Sequence, residues 1–380
     1  MIVTNGILFC DDGVFRKTDI EIQNRTVTAI GDEIASAGQE ILDADGCYVV
    51  PGLVDIHIHG AAGADFSDGT PQSIQEISRF LLKHGTTSFL GTSMALPEEQ
   101  LAGIYETACP FVGKMVPGQA VLQGIHMEGP FFNQDKRGAQ NEKYIINADF
   151  DMFTRLYTAS GSNIRMVAIA PEVEGGLDFI GKAHSLCSVS LGHSCADYDT
   201  AGLAFARGAN HVTHLFNGMS AFGHRDPGII GAAADSGAYV EIICDGIHLH
   251  PATVRSVFKL FGDNKVCLIS DAMRACGMPA GRYDLGGQLV TVKDGSATIA
   301  GGSLAGSVAV LADCLRQAVK FGIPLECALK AATINPAKSV GLDDKTGSLS
   351  KGKRADILVF DRDLALNNVI FDGVLQVGLL

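Results

Sequence analysis

The sequence has no tryptophan, no cysteine pair spaced C-x-x-C, no excess of basic residues and no long unbroken apolar run. Each absence excludes something. Without a run of roughly 18 apolar residues no bilayer-spanning helix is expected, and the first residues lack the basic-then-apolar pattern of a leader. A net charge of −13 at pH 7 argues against nucleic acid or an anionic membrane as the main partner. It leaves room for an anionic small molecule, which needs only a local arginine or lysine. The ten cysteines are scattered, and Cys187, Cys244 and Cys267 sit inside apolar runs, as reduced core cysteines of a cytoplasmic protein do. With 380 residues, 47% of them hydrophobic, the chain can bury a large core in one big domain or two. The expectation is a soluble cytoplasmic protein.

What the sequence does contain is a change of texture near residue 50. Residues 1–50 read as short strands. Asn5-Gly6 between the segments 1–4 and 7–10 signals a hairpin, and a turn at Asn24-Arg25 joins the segments 20–22 and 27–30. From residue 51 apolar strands alternate with helices, and eight strands are expected: 53–58, 87–92, 121–127, 165–170, 187–193, 211–215, 240–245 and 266–271. Helices are expected over 71–84, where Ile74, Ile77 and Leu81 share a face, over Pro251–Phe261, and over 307–321. Eight strands in alternation with helices is the pattern of an α/β fold of the (β/α)8 TIM-type barrel, with the active site at the C-terminal strand ends. Polar residues fall at the ends of at least six strands, which suits a ring better than an open doubly wound sheet. Short strands return after about residue 345, so the two chain ends are expected to pair. The division is a small β-sandwich domain of 1–50 plus 345–380, and a barrel of 51–344.

The strand ends carry the chemistry. In Asp55-Ile56-His57-Ile58-His59-Gly60 the alternation of a strand points His57 and His59 to one side, a pair able to grip a metal ion. Strand three ends in Glu128 before Gly129-Pro130, strand five in His193, and strand six runs His211-Val212-Thr213-His214. His211 and His214 differ by an odd step, so one of them faces the interior; His214, nearer the strand end, is the choice, and His211 is left as a packed or supporting histidine. Glu128, His193 and His214 supply one carboxylate and two imidazoles, a catalytic metal set with one position open. Asp271 at the end of strand eight is placed to act as general base toward water and then as acid for a leaving group. In Asp245-Gly246-Ile247-His248-Leu249-His250-Pro251, His248 is the better candidate to donate to a carbonyl oxygen as charge develops on it, because His250 abuts the expected helix start. Arg225, in the Gly/Pro-bounded loop 221–227, is of the type that binds phosphate with a planar fork, although a loop arginine alone is usually just solvated. The glycine-rich run 299–307 lets backbone approach a ligand or simply enters the helix at Ser307, and it lacks the G-K-[ST] ending of a nucleotide loop.

These motifs together resemble a known family. PGLVDIHIHG (51–60), GIHMEGPF (124–131), SLGHS (190–194), HVTHLFNGM (211–219), DGIHLHP (245–251), SDAMRACGMPAG (270–281), IAGGSLAGS (299–307) and GSLSKGKRADILVFD (347–361) are similar to the N-acetylglucosamine-6-phosphate deacetylases of the amidohydrolase superfamily, over essentially the whole chain. The resemblance implies a metal-dependent barrel with a β-sandwich from both ends, a homodimer, and hydrolysis of the acetamide of N-acetyl-D-glucosamine 6-phosphate to D-glucosamine 6-phosphate and acetate in amino-sugar breakdown. It implies Glu128, His193 and His214 as primary metal ligands, Asp271 as catalytic acid/base and His248 as the residue polarising the amide carbonyl. Asn217 and Gly218, with Arg225 reaching the neighbouring subunit's site, match phosphate-binding positions. Ala139 and Gln140 match a sugar-contacting pair whose second member is His in some relatives, and Gly301, Gly302 and Leu304 fall in a further substrate loop. Having both His57 and His59, the chain resembles members able to hold two divalent ions, of which Zn²⁺ is the first expectation and Fe²⁺, Mn²⁺ and Co²⁺ the others. The alternatives are a deacetylase of N-acetylgalactosamine 6-phosphate, another amidohydrolase acting on cyclic amides or nucleobases, or an inactive scaffold, which the intact set of Glu128, His193, His214 and Asp271 disfavours.

Overall fold

The computed structural model describes residues 1–377 apart from 33 and 35–37, so the last three residues of the expected 345–380 segment lie outside the described residues. Short apolar segments that each run into a helix can bury both faces only inside a ring of helices. Eight of them do so. Leu53–Ile58, Thr86–Ser93, Val121–Glu128, Ile164–Ile169, Ser188–Leu191, His211–Val212, Tyr239–Ile243 and Val266–Ile269 pair in parallel, each beside its sequence neighbour. They are barrel strands 1 to 8. Strand 8 closes onto strand 1 where Asp271 N–H donates to His57 O and His59 N–H donates to Ala272 O, both at 2.9 Å. The Ser270 hydroxyl adds a 2.5 Å bond to Asp55. The fold is a (β/α)8 barrel.

Strands 5, 6 and 8 are shorter than the sequence suggests, and the reason is local. The expected strands ran on through His193, His214 and Asp271, but these residues have φ of +49°, +29° and +45°, a left-handed conformation that ends a ladder. These three side chains are therefore aimed by turns, and not by strand alternation.

The helix after strand 1 spans Pro71–Lys83, with Thr70 capping its N-terminus and Ile74, Ile77, Leu81 and Leu82 buried. Pro251–Phe261 is a helix as expected, and the His250 side chain accepts from Ala252 N–H as its cap. That role separates His250 from His248. The last expected helix begins later, at Leu311 in place of 307. Ser307 is held instead against the end of strand 8, its hydroxyl donating to Ser270 O at 2.6 Å. Between strand 8 and this helix lies a three-stranded antiparallel sheet, Gly281–Leu285, Gln288–Lys293 and Ser296–Ile299, which the sequence reading did not mark.

The chain ends form two further sheets. One takes Thr26–Gly31, Asp19–Gln23, Ile2–Thr4 and Ile41–Asp43; the other takes Val374–Leu375, Leu366–Phe371, Ile357–Phe360, Tyr48–Pro51, Ile7–Phe9 and Phe15–Lys17. Val3, Ile20, Ile22 and Val27 of the first sheet meet Leu8, Val49, Ile357, Val359 and Ile370 of the second in one buried cluster, so the sheets make a small sandwich. The hairpin expected at Asn5-Gly6 does not form. Ile2–Thr4 and Ile7–Phe9 belong to different sheets, because Asn5, at φ +61°, is held by Asp19 and Asp43 and turns the chain across the sandwich. The turn at Asn24-Arg25 does join two antiparallel strands. No helix among the described residues is long and apolar enough to cross a membrane.

Candidate active site

The C-terminal ends of strands 1, 3, 5, 6 and 8 bring His57, His59, Glu128, His193, His214 and Asp271 to one place, all of them buried. Glu128 Oε1 lies 3.2 Å from His193 Nε2, 3.1 Å from His214 Nε2 and 3.5 Å from His57 Nε2, while its Oε2 lies 3.2 Å from His59 Nε2. Asp271 Oδ1 stands 3.4 Å from His57 Nε2 and 3.3 Å from His59 Nε2.

The other nitrogen of each ring says which way the lone pairs point. His59 Nδ1 rests on Thr92 O at 3.2 Å, His193 Nδ1 on Lys136 O at 2.9 Å, and His214 Nδ1 on Asn217 O at 3.1 Å. Carbonyl oxygens only accept, so each of these Nδ1 atoms carries the ring proton and each neutral ring presents a lone pair at Nε2. His57 Nδ1 makes the equivalent bond to the Glu241 carboxylate at 2.9 Å. Four imidazole lone pairs and two carboxylates thus converge.

Such a cluster is unstable with nothing positive in it. His193 Nε2 and His214 Nε2 are 3.1 Å apart, and His57 Nε2 is buried with no hydrogen-bond partner. The titration behaviour reports the same demand for positive charge. Burial pushes the His59 imidazole down, yet hydrogen bonds to Asp271 and Glu128 outweigh it and raise its pKa to about 10. With no ion present, burial likewise opposes ionisation of Glu128, and positive charge taken up on His57, with His193 Nε2 and His214 Nε2 within hydrogen-bond reach, holds it well below the usual carboxylate range. Nitrogen and carboxylate donors in this number and spacing fit a divalent ion. Among the described residues three groups have their ligand atoms close enough to share one: Glu128 with His193 and His214, Glu128 with His57 and His59, and His57 with His126 and Glu241.

A cavity of about 540 Å³ opens above this cluster, a size suited to a small polar ligand. His59, Glu128, Ala139, Gln140, His193, His214, Asn217, Gly218, His248, Asp271, Gly301 and Leu304 all line it. His57 lies behind the lining, Gly302 is adjacent to it, and Arg225 is exposed on its loop outside this chain's own cavity. His248 is fixed by Asp245, whose Oδ2 takes Nδ1–H at 2.8 Å and whose Oδ1 takes two backbone N–H groups. Gln140 turns its amide inward: Oε1 accepts from Ala95 N–H and Nε2 donates to Glu128 Oε2, both at 2.8 Å. The mouth also carries Lys136 and Arg137, local cations in an acidic chain that the sequence reading did not single out. Nor did it find Glu241. A charged residue inside the apolar run 239–243 was the available signal.

The barrel and this site have counterparts in known proteins. The model of the amidohydrolase family matches residues 48–376. An N-acetylglucosamine-6-phosphate deacetylase of Lysinibacillus sphaericus is 33% identical over 380 residues, covering 99% of this chain and 98% of that protein. An N-acetylgalactosamine-6-phosphate deacetylase of Escherichia coli O157:H7 is also 33% identical, over 88% of this chain and 89% of its own length. The solved structure of a variant N-acetyl-D-glucosamine-6-phosphate deacetylase from Mycobacterium smegmatis, in complex with N-acetyl-D-glucosamine 6-phosphate, superposes with a TM-score of 0.92 at 32% identity, covering 99% of this chain and 98% of that one. Matched over most of its length and carrying the inward histidines and carboxylates at its strand ends, the chain belongs to the amidohydrolase family.

Proposed function

We propose that this chain hydrolyses the acetamide of N-acetyl-D-glucosamine 6-phosphate to D-glucosamine 6-phosphate and acetate. The observation that carries the reading is the convergence of four Nε2 lone pairs, Glu128 and Asp271 at the floor of one cavity. Identity of 33% over nearly the full length to a deacetylase named for this substrate supports it. Glu128, His193 and His214 would hold one divalent ion, and His57 and His59, with Glu128 and Asp271 beside them, a second. Zn²⁺ suits these donors best, and Fe²⁺, Mn²⁺ and Co²⁺ are served by the same set. A divalent ion bound there supplies Lewis acidity to an amide carbonyl and to water.

The chain's own groups do the rest. Asp271 keeps Oδ1 against His57 and His59, leaving Oδ2 to take a proton from the attacking water and return it to the departing amine nitrogen. His248 donates from Nε2 to the oxygen on which charge develops. Because its Nδ1–H is already given to Asp245, that donation uses a ring carrying a proton on each nitrogen. Asn217 and Gly218 at the cavity wall bind the phosphate. Arg225, exposed and outside its own cavity, completes that site in a second copy of the chain, so the working unit is a homodimer.

Acetate release from N-acetylglucosamine 6-phosphate, unphosphorylated N-acetylglucosamine and N-acetylgalactosamine 6-phosphate, with metal content measured in the same samples, tests the assignment. The relative named for the galactosamine substrate makes the third arm a real competitor: faster release there transfers the assignment to that epimer, and a preference for the unphosphorylated sugar overturns it. Losing a bidentate charge-assisted contact in Arg225→Ala should raise KM for the phosphorylated sugar roughly 10- to 100-fold and leave the unphosphorylated one unchanged. An unaltered KM removes Arg225 from the site.

A further inference from the structure

Below the metal-binding layer the barrel interior holds a carboxylate that no step above uses. Glu241 lies in the middle of strand 7, fully buried, on a strand that is otherwise apolar. Positions of this kind in such barrels are usually filled by branched aliphatic side chains. An acid there is destabilising unless its oxygens are matched, so its partners show what it is for. Its Oε2 accepts from His57 Nδ1 at 2.9 Å and from the His214 backbone N–H at 3.1 Å. Its Oε1 lies 3.4 Å from His211 Nε2. Its backbone carbonyl accepts from Leu215 N–H at 2.7 Å. A single residue thus grips a side chain at the end of strand 1 and the turn that follows strand 6.

Both contacts lead to the site. The bond to Nδ1 turns the Nε2 lone pair of His57 toward Glu128 and Asp271, and it does so with a charged acceptor, whereas His59, His193 and His214 rest on neutral carbonyls. A carboxylate behind a ligating imidazole fixes its tautomer and raises its basicity. The bond to His214 N–H holds the residue whose φ of +29° aims its ring at Glu128. We infer that Glu241 is a positioning residue for both ion sites, orienting His57 through its ring and His214 through its backbone. His126 completes the buried group, its ring 4.6 Å from that of His57. These three residues are not a third ion site in their own right, because the nitrogen that His57 turns toward Glu241 is already hydrogen-bonded to it.

The inference rests on the reading that His57 and His59 hold an ion, and the experiment separates the two. Wild type, Glu241→Gln, Glu241→Leu and His57→Ala are stripped of metal and titrated with Zn²⁺ against a competing chelator, and the rise in Tm on adding Zn²⁺ is recorded for each. The isosteric glutamine keeps the shape of the carboxylate, so the metal-free Tm of Glu241→Gln should stay close to wild type. Its affinity for the second ion should fall roughly 10- to 100-fold, the usual effect of removing such a partner, and its Zn²⁺-induced rise in Tm should shrink. Two ions bound with wild-type affinity in Glu241→Gln, where His57→Ala loses one, overturn the inference and leave the two-ion reading standing. A single ion in wild type, unaffected by His57→Ala, overturns both. If Glu241→Leu lowers the metal-free Tm while Glu241→Gln changes neither Tm nor affinity, the residue is structural and the inference fails.

Discussion

Asp271→Asn is expected to lower the rate of acetate release by about 10²- to 10⁴-fold, the range for removing a general acid/base, while the ion held by Glu128, His193 and His214 stays bound. The size of the effect follows from what asparagine lacks. It has the outline of aspartate but cannot accept a proton from water or deliver one to an amine. The backbone that carries it is fixed independently of the carboxylate, since Asp271 N–H donates to His57 O at 2.9 Å and Asp271 O accepts from Ser307 N–H at 2.6 Å. The substituted side chain should therefore occupy the same place. The loss corresponds to about 3–5 kcal/mol of transition-state stabilisation. Turnover near the wild-type value, with metal content intact, would sink the assignment of Asp271. Loss of all metal would instead move the residue from proton transfer to ligation.

The second large effect concerns the donors. His193→Ala is expected to lower turnover by at least about 10³-fold, because an ion in such a site contributes several kcal/mol to the transition state. Two features make His193 hard to replace. Its Nε2 sits 3.2 Å from Glu128 and 3.1 Å from His214, so its loss leaves two donors of three. Its Nδ1 and carbonyl oxygen also tie down the 133–140 segment through Lys136 O and Asn133 N–H, and that segment carries part of the cavity wall. The double variant His57→Ala/His59→Ala should behave differently, with lower metal stoichiometry and a smaller loss of rate. Metal analysis and acetate release on the same preparations separate the cases. A double variant as inactive as His193→Ala, with one ion still bound, would show that the essential ion is the one held by His57 and His59.

How much of this was legible beforehand differs from residue to residue. His57 and His59 were visible because strand 1 continues to Ile58, so alternation applies to them. Glu128 was visible because it ends an apolar strand before Gly-Pro. His214 was chosen over His211 by a rule that does not govern it: strand 6 stops at Val212, and a left-handed turn aims the ring. Turns of that kind depend on contacts such as Glu241 to His214 N–H, which link residues 27 apart and leave no trace in local pattern. The same limit explains Asn5-Gly6. The dipeptide specifies a turn, but Asp19 and Asp43 decide which sheet receives the next strand. The sheet of Gly281–Ile299 was missed because its residue types hide the alternation that the fold shows: in Gln288–Lys293 the buried Val290 and Val292 alternate with exposed positions, but one of those is the apolar Leu289, 60% exposed.

The sheet that joins the chain ends has a consequence for how the molecule is made. Every neighbouring pair of barrel strands from 1 to 8 is consecutive in the sequence, so the ring can be laid down in the order in which a ribosome delivers it. The sandwich cannot. Tyr48–Pro51, which runs directly into barrel strand 1, takes Ile7–Phe9 on one side and Ile357–Phe360 on the other. The second partner emerges some 350 residues after the first. Until it arrives, Val49 and Val50 have an open strand edge beside them, the kind of exposed edge on which nascent chains associate wrongly. Long-range pairing of this sort is slow to close. The strands that follow the barrel in the chain thus act as a clasp, and the ring stands on a foundation closed only after all eight of its own strands have been made.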